Sequence, residues 1–239
     1  MRGHLKEVAA RLGSVRDLDV QIDGLRAYQA SLPQGDRAAI APLIAAWEAE
    51  RDDARVLLVR DLDSAAYRQW VAAYTHFVLT EGLGAIPPIS PTAPARVRDI
   101  AGSRIWYAYE EVRAYEPTLR WADLATLHQL RITAKRLRYA TEFFREALGP
   151  DAAAVIARVV ALQDHLGALH DAEVAGGRAR TFLVENSSRL SEAERAAIGR
   201  YLTVQEKELS RLRRTVGRPW RAVTGPQFRR ALGRAIAAL

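Results

Sequence analysis

Apolar residues recur along almost the whole of this chain at the three- and four-residue spacing of a helix. Alternating patterns bounded by turn dipeptides are missing. Ala, Leu, Arg and Glu, all good helix formers, dominate. The pattern confines the chain to an all-α fold. It predicts helices near residues 3–12, 17–31, 35–59, 62–80, 94–115, 118–148, 151–167, 170–185, 191–216 and 226–238. Asp151 and Ser191 are expected N-caps, and Glu194 follows Ser191 at capping-box spacing. Pro117 separates two helices, because proline cannot continue the helix before it.

Helical patterning lapses decisively once. The segment Glu81-Gly-Leu-Gly-Ala-Ile-Pro-Pro-Ile-Ser-Pro-Thr-Ala-Pro94 places four prolines in eight residues. It divides the 239 residues into an N-terminal helical half over 1–80, a linker over 81–94 and a C-terminal helical half over 95–239.

The halves share a signature. Leu12-Gly13-Ser-Val-Arg-Asp17-Leu-Asp19-Val20 aligns with Leu166-Gly167-Ala-Leu-His-Asp171-Ala-Glu173-Val174 at a constant offset of 154. In each, the glycine is expected to end one helix and the aspartate to cap the next. Arg51-xxx-Arg55 and Lys207-xxx-Arg211 repeat a basic i, i+4 pair at an offset of 156. Two weak matches in the same order indicate an internal duplication. The helix around 128–145 would then have its counterpart before residue 1. The chain is expected to begin after that helix or to have lost it, leaving a bundle with an exposed apolar groove that favours self-association.

Charge is unevenly distributed. The chain carries 35 Lys and Arg against 28 Asp and Glu. From Arg178 to Leu239 there are 14 basic and 5 acidic residues, a net of +9, whereas Met1 to Gly177 nets −2. A local basic concentration points to an anionic partner. With no cysteine, disulfides and thiol chemistry are excluded. The five histidines (His4, His76, His128, His165, His170) form no i, i+4 pair, and Asp17/Asp19 and Asp171/Glu173 read as capping groups rather than a metal site. No Walker-type loop and no activated nucleophile is recognisable, so a non-catalytic protein without a cofactor is expected. No apolar run long enough to cross a bilayer is evident, and Met1-Arg-Gly-His-Leu-Lys does not resemble a signal peptide. The expectation is a soluble cytoplasmic protein.

The chemistry concentrates between Leu127 and Phe144. On a helix, His128, Arg131, Lys135 and Arg138 fall at i, i+3, i+7 and i+10 and form one stripe. Leu130, Ala134, Leu137 and Phe144 make the adjoining apolar face, so the cations flank a core seam. Glu142 can pair with Arg138, and Arg136 points elsewhere. Tyr139 is expected in the core. Arg200, Lys207, Arg211 and Arg214 share a face further on, and Arg51 and Arg55 supply the equivalent row in the first half. Cations gathered in one groove repel each other unless an anion neutralises them, and phosphate oxygens suit both arginine and lysine.

The string His128-x-x-Arg131-Ile-x-x-Lys135-Arg136-Leu-Arg138-Tyr139-x-x-Glu142, followed by Leu162-Gln-Asp-x-Leu166-Gly167-x-x-x-Asp171-x-Glu173-Val174, resembles the CHAD domain (conserved histidine α-helical domain). Residues 12–20 resemble that family's first-half motif, and the resemblance covers essentially the whole chain. It implies two antiparallel helical bundles related by pseudo-two-fold symmetry around a basic central groove. The implied ligand is inorganic polyphosphate, with other polyanions as lesser ligands, at polyphosphate granules. Carried over by position, His128, Arg131, Lys135 and Arg138 are the expected contacts, with Arg51, Arg55, Lys207, Arg211 and Arg214 as additional ones. The chain departs from the family in lacking the first-half copy of the His-x-x-Arg helix and in carrying His170 where a small polar residue is usual. No Glu-x-Glu-x-Lys motif of the triphosphate-tunnel domains sometimes fused to this family is present.

Two other readings remain. Arginine-rich helices bind nucleic acids, with tryptophans to stack bases, although Trp47, Trp70, Trp106, Trp121 and Trp220 mostly occupy core-type positions. Alternatively, a helical scaffold would dock an acidic protein on its basic tail, Arg211 to Arg234.

Overall fold

The computed structural model describes the backbone of residues 2–87, 89–90 and 92–239, and the side chains of these except Arg2 and His4. Pro88 and Pro91 of the expected linker, and the side chains of the extreme N-terminus including His4, lie outside the described residues. Among the described residues the structure is all helical, without strands. The α-helices are α1 (Arg2–Ser31), α2 (Ala41–Leu62), α3 (Ala65–Leu79), α4 (Val97–Arg113), α5 (Leu124–Phe143), α6 (Ala152–Glu185), α7 (Glu192–Thr215), α8 (Gly217–Thr224) and α9 (Pro226–Ile236). Short 3-10 turns cover Gln34–Ile40, Leu119–Trp121 and Arg145–Ala147.

The expected helix ends at Gly13 and Gly167 are corrected. Both glycines sit inside continuous helices, α1 and α6. An internal glycine costs about 1 kcal/mol relative to alanine. The buried positions that continue across it outweigh that cost: Leu18, Ile22 and Leu25 after Gly13, Val155 to Leu166 and Leu169 around Gly167. A single buried leucine is worth roughly 1.5–3 kcal/mol. Asp17 and Asp171 are therefore mid-helix residues, not caps. Their neighbours act as side-chain partners: Asp19 lies 3.8 Å from Arg51, and Glu173 lies 3.8 Å from His170. Continuity has a second consequence. At 34 residues, α6 is long and apolar enough to meet the length and composition of a membrane span, which the sequence reading had not found. Its Val155, Val159, Leu162, Leu166 and Leu169 belong to a packed core, as in the core helix of a folded domain.

Two compact units form. One comprises Met1–Pro87 with Ala175–Val204, the other Pro88–Val174 with Gln205–Leu239. The first boundary falls within the proline-rich segment. The remainder departs from the contiguous halves read from sequence, because Ala175–Val204 groups with the N-terminal helices.

In the first unit, Ile22 and Leu25 of α1 and Leu43, Ile44 and Trp47 of α2 pack with Ala179, Ile198 and Tyr201. Tyr201 lies edge-on to Trp47 at 6.3 Å, and its burial pushes the phenol well above the usual tyrosine range. Arg178 covers Trp47 at 5.2 Å and pairs with Glu50 at 2.7 Å. Much apolar surface stays uncovered here. Leu12 is 49% exposed, whereas Leu166, its equivalent by the repeat, is 1% exposed within a cluster containing Leu130 and Leu137 of α5. Leu5, Val56, Val59 and most of α3's apolar side chains are exposed too, and no residue of α3 is buried.

In the second unit, Ile105, Tyr109 and Val112 of α4, Leu130 and Leu137 of α5, and Val159 and Leu162 of α6 share a core with Trp220 and Phe228. Tyr109 stacks on Phe228 at 5.5 Å. The turn before α6 packs against α9 at Gly149, whose N–H donates to the Ala235 carbonyl at 2.9 Å. A Cβ there would lie 3.0 Å from the Ala238 side chain, a tight contact to which α9 would have to yield by a few tenths of an ångström. Asp151 precedes α6 as expected, but its carboxylate accepts two hydrogen bonds from Arg234, at 2.8 and 3.0 Å. Ser191 and Glu194 form the expected capping box at the start of α7, with Ser191 N–H donating to Glu194 Oε2 at 2.7 Å. Helix α8 was not foreseen. It tolerates Pro219 because the proline sits in the first turn, where no intrahelical donor is needed.

Candidate polyanion site

Helix α5 begins at Asp123, whose carboxylate accepts the Thr126 N–H at 2.8 Å. Hydrogen bonding from the Thr126 side chain, and then from its N–H, holds the Asp123 carboxyl below its usual range. Leu127, Leu130, Ala134 and Leu137 are buried. Thr133 and Thr141 are buried as well, and each hydroxyl donates to a carbonyl one turn back, Gln129 and Leu137, so neither leaves a polar atom unsatisfied. One side of α5 is thereby pinned to the core, and His128, Arg131, Lys135 and Arg138 emerge along its edge.

These four occupy graded environments. His128 and Arg131 are half-buried, Lys135 is exposed, and Arg138 is half-buried. Arg138 Nε lies 3.6 Å from Glu142, the expected i, i+4 partner. Among the described residues neither Arg131 nor Lys135 has a carboxylate within ion-pair distance. Tyr139 corrects its core assignment: it is 49% exposed, with Lys135 Nζ 5.6 Å and the Arg138 guanidinium 5.0 Å from its ring centre. Each such contact contributes about 0.5–1 kcal/mol at an exposed site.

A fifth member comes from α6. The His170 ring lies 4.8 Å from that of His128. Both Nδ1 atoms are buried without a hydrogen-bond partner. Burial, then Arg131 and His128, lower the His170 pKa, while Asp171 and Glu173 oppose the shift. Two imidazoles and a guanidinium thus share a corner in which further positive charge is disfavoured, which is the environment an incoming anion relieves. Position 170 was visible in the sequence only as a departure from a motif. Its contact with His128 depends on α6 being continuous. His165, one turn earlier, has a structural role: its Nε2 donates to the Leu212 carbonyl at 2.9 Å.

A family model described as the CHAD domain matches residues 1–180. The chain belongs to the CHAD domain family. The match includes the α5 row and residues 166–174, and it stops short of α7, α8 and α9, so the resemblance is narrower than the whole chain. No curated protein matches the chain. CHAD domains are known in polyphosphate-related proteins.

The remaining expected contacts of this CHAD protein stand in other surroundings. Arg51 and Arg55 belong to the first unit. Arg51 is committed to Asp52 at 2.8 Å, which raises its pKa, and Arg55 borders an apolar groove with Val56 and Val59. On α7, Arg211 is held by Glu208 through two hydrogen bonds at 2.6 and 2.7 Å. Lys207 is exposed, and Arg200 falls in the first unit. Arg214 lines a separate cleft with Leu127. Of the tryptophans, Trp47 and Trp220 are buried, but Trp121 is 77% exposed in its 3-10 turn under the Arg120 guanidinium, 4.9 Å away. Arg136 is exposed, and among the described residues it has no carboxylate within ion-pair distance.

Proposed function

We propose that this CHAD protein binds inorganic polyphosphate, and other polyanions more weakly, without transforming it. The observation that carries the reading is the edge of α5: among the described residues Arg131 and Lys135 lack carboxylate partners, and they stand in line with His128 and Arg138. A chain of phosphates laid along that edge would meet a cation at nearly every turn of the helix. Arg131 and Arg138 offer forked donors, and Lys135 a point charge. The pseudo-two-fold pair of bundles around a basic groove, and residence at cytoplasmic polyphosphate granules, belong to the same proposal through the family resemblance. So do Arg51, Arg55 and Lys207 as outlying contacts. Arg211 takes part only by giving up Glu208.

Nucleic-acid binding is favoured by one observation, the exposed Trp121 beneath Arg120. The scaffold reading is weakened by the commitments of the basic tail: Arg211 to Glu208, Arg213 to the Ala122 carbonyl and Arg234 to Asp151.

Titrations of long-chain polyphosphate, single-stranded DNA and RNA against the protein, at equal phosphate concentration and moderate salt, separate these readings. Polyphosphate is expected to bind tightest, and Arg131→Gln is expected to weaken it by about tenfold or more, the loss of one charge-assisted hydrogen bond. Equal affinity for all three polymers, unchanged in Arg131→Gln, would refute the site. Absence of any polyanion binding together with capture of one protein partner would favour the scaffold.

A further inference from the structure

The second unit contains a cleft of about 690 Å³ between the segment after α4, the first turn of α5, the end of α7 and the start of α8. Arg120, Arg213, Arg214 and Arg221 line it, with Glu116 as the single carboxylate. Glu116 is already shared with Arg113, 3.7 Å away. Arg213 is fixed by donating to the Ala122 carbonyl at 3.2 Å. Among the described residues, Arg120, Arg214 and Arg221 have no carboxylate within ion-pair distance. The Arg221 guanidinium folds back over the first turn of α8, where a Cβ added at Gly217 would stand 3.4 Å from its Nη1. The rest of the wall is apolar, formed by Leu119, Leu127, Val216 and Trp220. His128, Arg131, Lys135 and Arg138 do not line it, and the cleft is therefore separate from the α5 row.

Three uncompensated guanidiniums around an apolar wall define a mixed ligand. A bare inorganic anion would satisfy the arginines and leave Leu127, Val216 and Trp220 wet. An apolar molecule would desolvate the arginines without pairing them, which is costly. The volume falls within the range of small-molecule sites. We propose that this cleft is a second anion site and takes an organic phosphate, with a multiply charged phosphate head between Arg120, Arg214 and Arg221 and a flat apolar body against Leu127, Val216 and Trp220. The site is independent of polyphosphate binding on α5.

The test is calorimetry on the full chain with ADP, 1-naphthyl phosphate, pyrophosphate and adenosine as probes, in wild type, Arg120→Gln, Arg221→Gln and Arg131→Gln. ADP or 1-naphthyl phosphate is expected to bind saturably and more tightly than pyrophosphate, with adenosine silent. Arg120→Gln and Arg221→Gln should each weaken that binding by about tenfold, one charge-assisted contact apiece, while Arg131→Gln leaves it unchanged. Pyrophosphate binding as tightly as ADP would overturn the apolar subsite. Loss in Arg131→Gln with retention in Arg120→Gln and Arg221→Gln would place the ligand on α5 and overturn the cleft. No saturable binding of either ADP or 1-naphthyl phosphate would overturn the proposal outright.

Discussion

Gly167→Ala distinguishes two geometries by the sign of its effect. If Gly167 ended a helix in the left-handed conformation, as its Leu-Gly context suggests, alanine would cost roughly 1–2 kcal/mol. In the structure it lies inside α6, at ordinary negative φ, and a Cβ added there meets no atom within 4 Å. Alanine should then recover the helix penalty of glycine, about 1 kcal/mol, in part by restricting the unfolded chain. For a chain of this size that corresponds to a rise in Tm of roughly 2–4 °C. Urea unfolding followed by circular dichroism at the helical minimum reads it directly, and Gly13→Ala repeats the test in α1, where the added Cβ is equally unopposed. A fall in stability in either variant would refute the continuous helix at that position. At Gly167 it would also remove the basis for placing His170 beside His128.

Three further outcomes follow from the packing and the charges. Leu162 is fully buried in the second unit's core, so Leu162→Ala should cost about 2–5 kcal/mol in the same urea assay. Because burial, Arg131 and His128 lower the His170 pKa, the unfolded chain takes up its proton first on acidification. Stability contributed at this site is therefore lost as pH falls from the ordinary histidine range toward the depressed folded value. Arg131→Gln should raise the His170 titration midpoint, read from imidazole proton shifts by NMR; an unmoved midpoint would contradict the shared corner. The Glu194 carboxyl is held below its usual range by the Ser191 N–H and hydroxyl, so that contribution is lost as pH falls through the lowered folded value. Ser191→Ala should return Glu194 toward the ordinary carboxylate range, measured by carboxyl carbon shifts.

The sequence was most legible where one physical signal dominated. Period and composition sufficed for an all-helical chain, and the α5 stripe, the Arg138–Glu142 pair and the Ser191–Glu194 box are local patterns that a helical wheel exposes. Glycine misled at residues 13 and 167 because local propensity was weighed without the buried stripe on either side. Tyr139 was misplaced because its wheel position does not show that Lys135 and Arg138 lie over its face. Two features of the site are non-local: His170 reaches His128 from another helix, and Arg214 faces a cleft built partly by α8. The losses of Arg51 to Asp52 and of Arg211 to Glu208 are local, one and three residues apart, and a count of basic residues that ignores neighbouring carboxylates passes over them.

The central claim is that the row of cations on α5 holds polyphosphate, and the salt dependence of binding tests it most directly. The dissociation constant for long-chain polyphosphate would be measured across a series of salt concentrations in wild type and in a triple Arg131→Gln, Lys135→Gln, Arg138→Gln variant whose helicity is checked by circular dichroism. Each cation paired with a phosphate releases counterions on binding and steepens the dependence of affinity on salt. The account predicts weaker binding and a visibly shallower slope in the triple variant. The same affinity and the same slope in both proteins would contradict it.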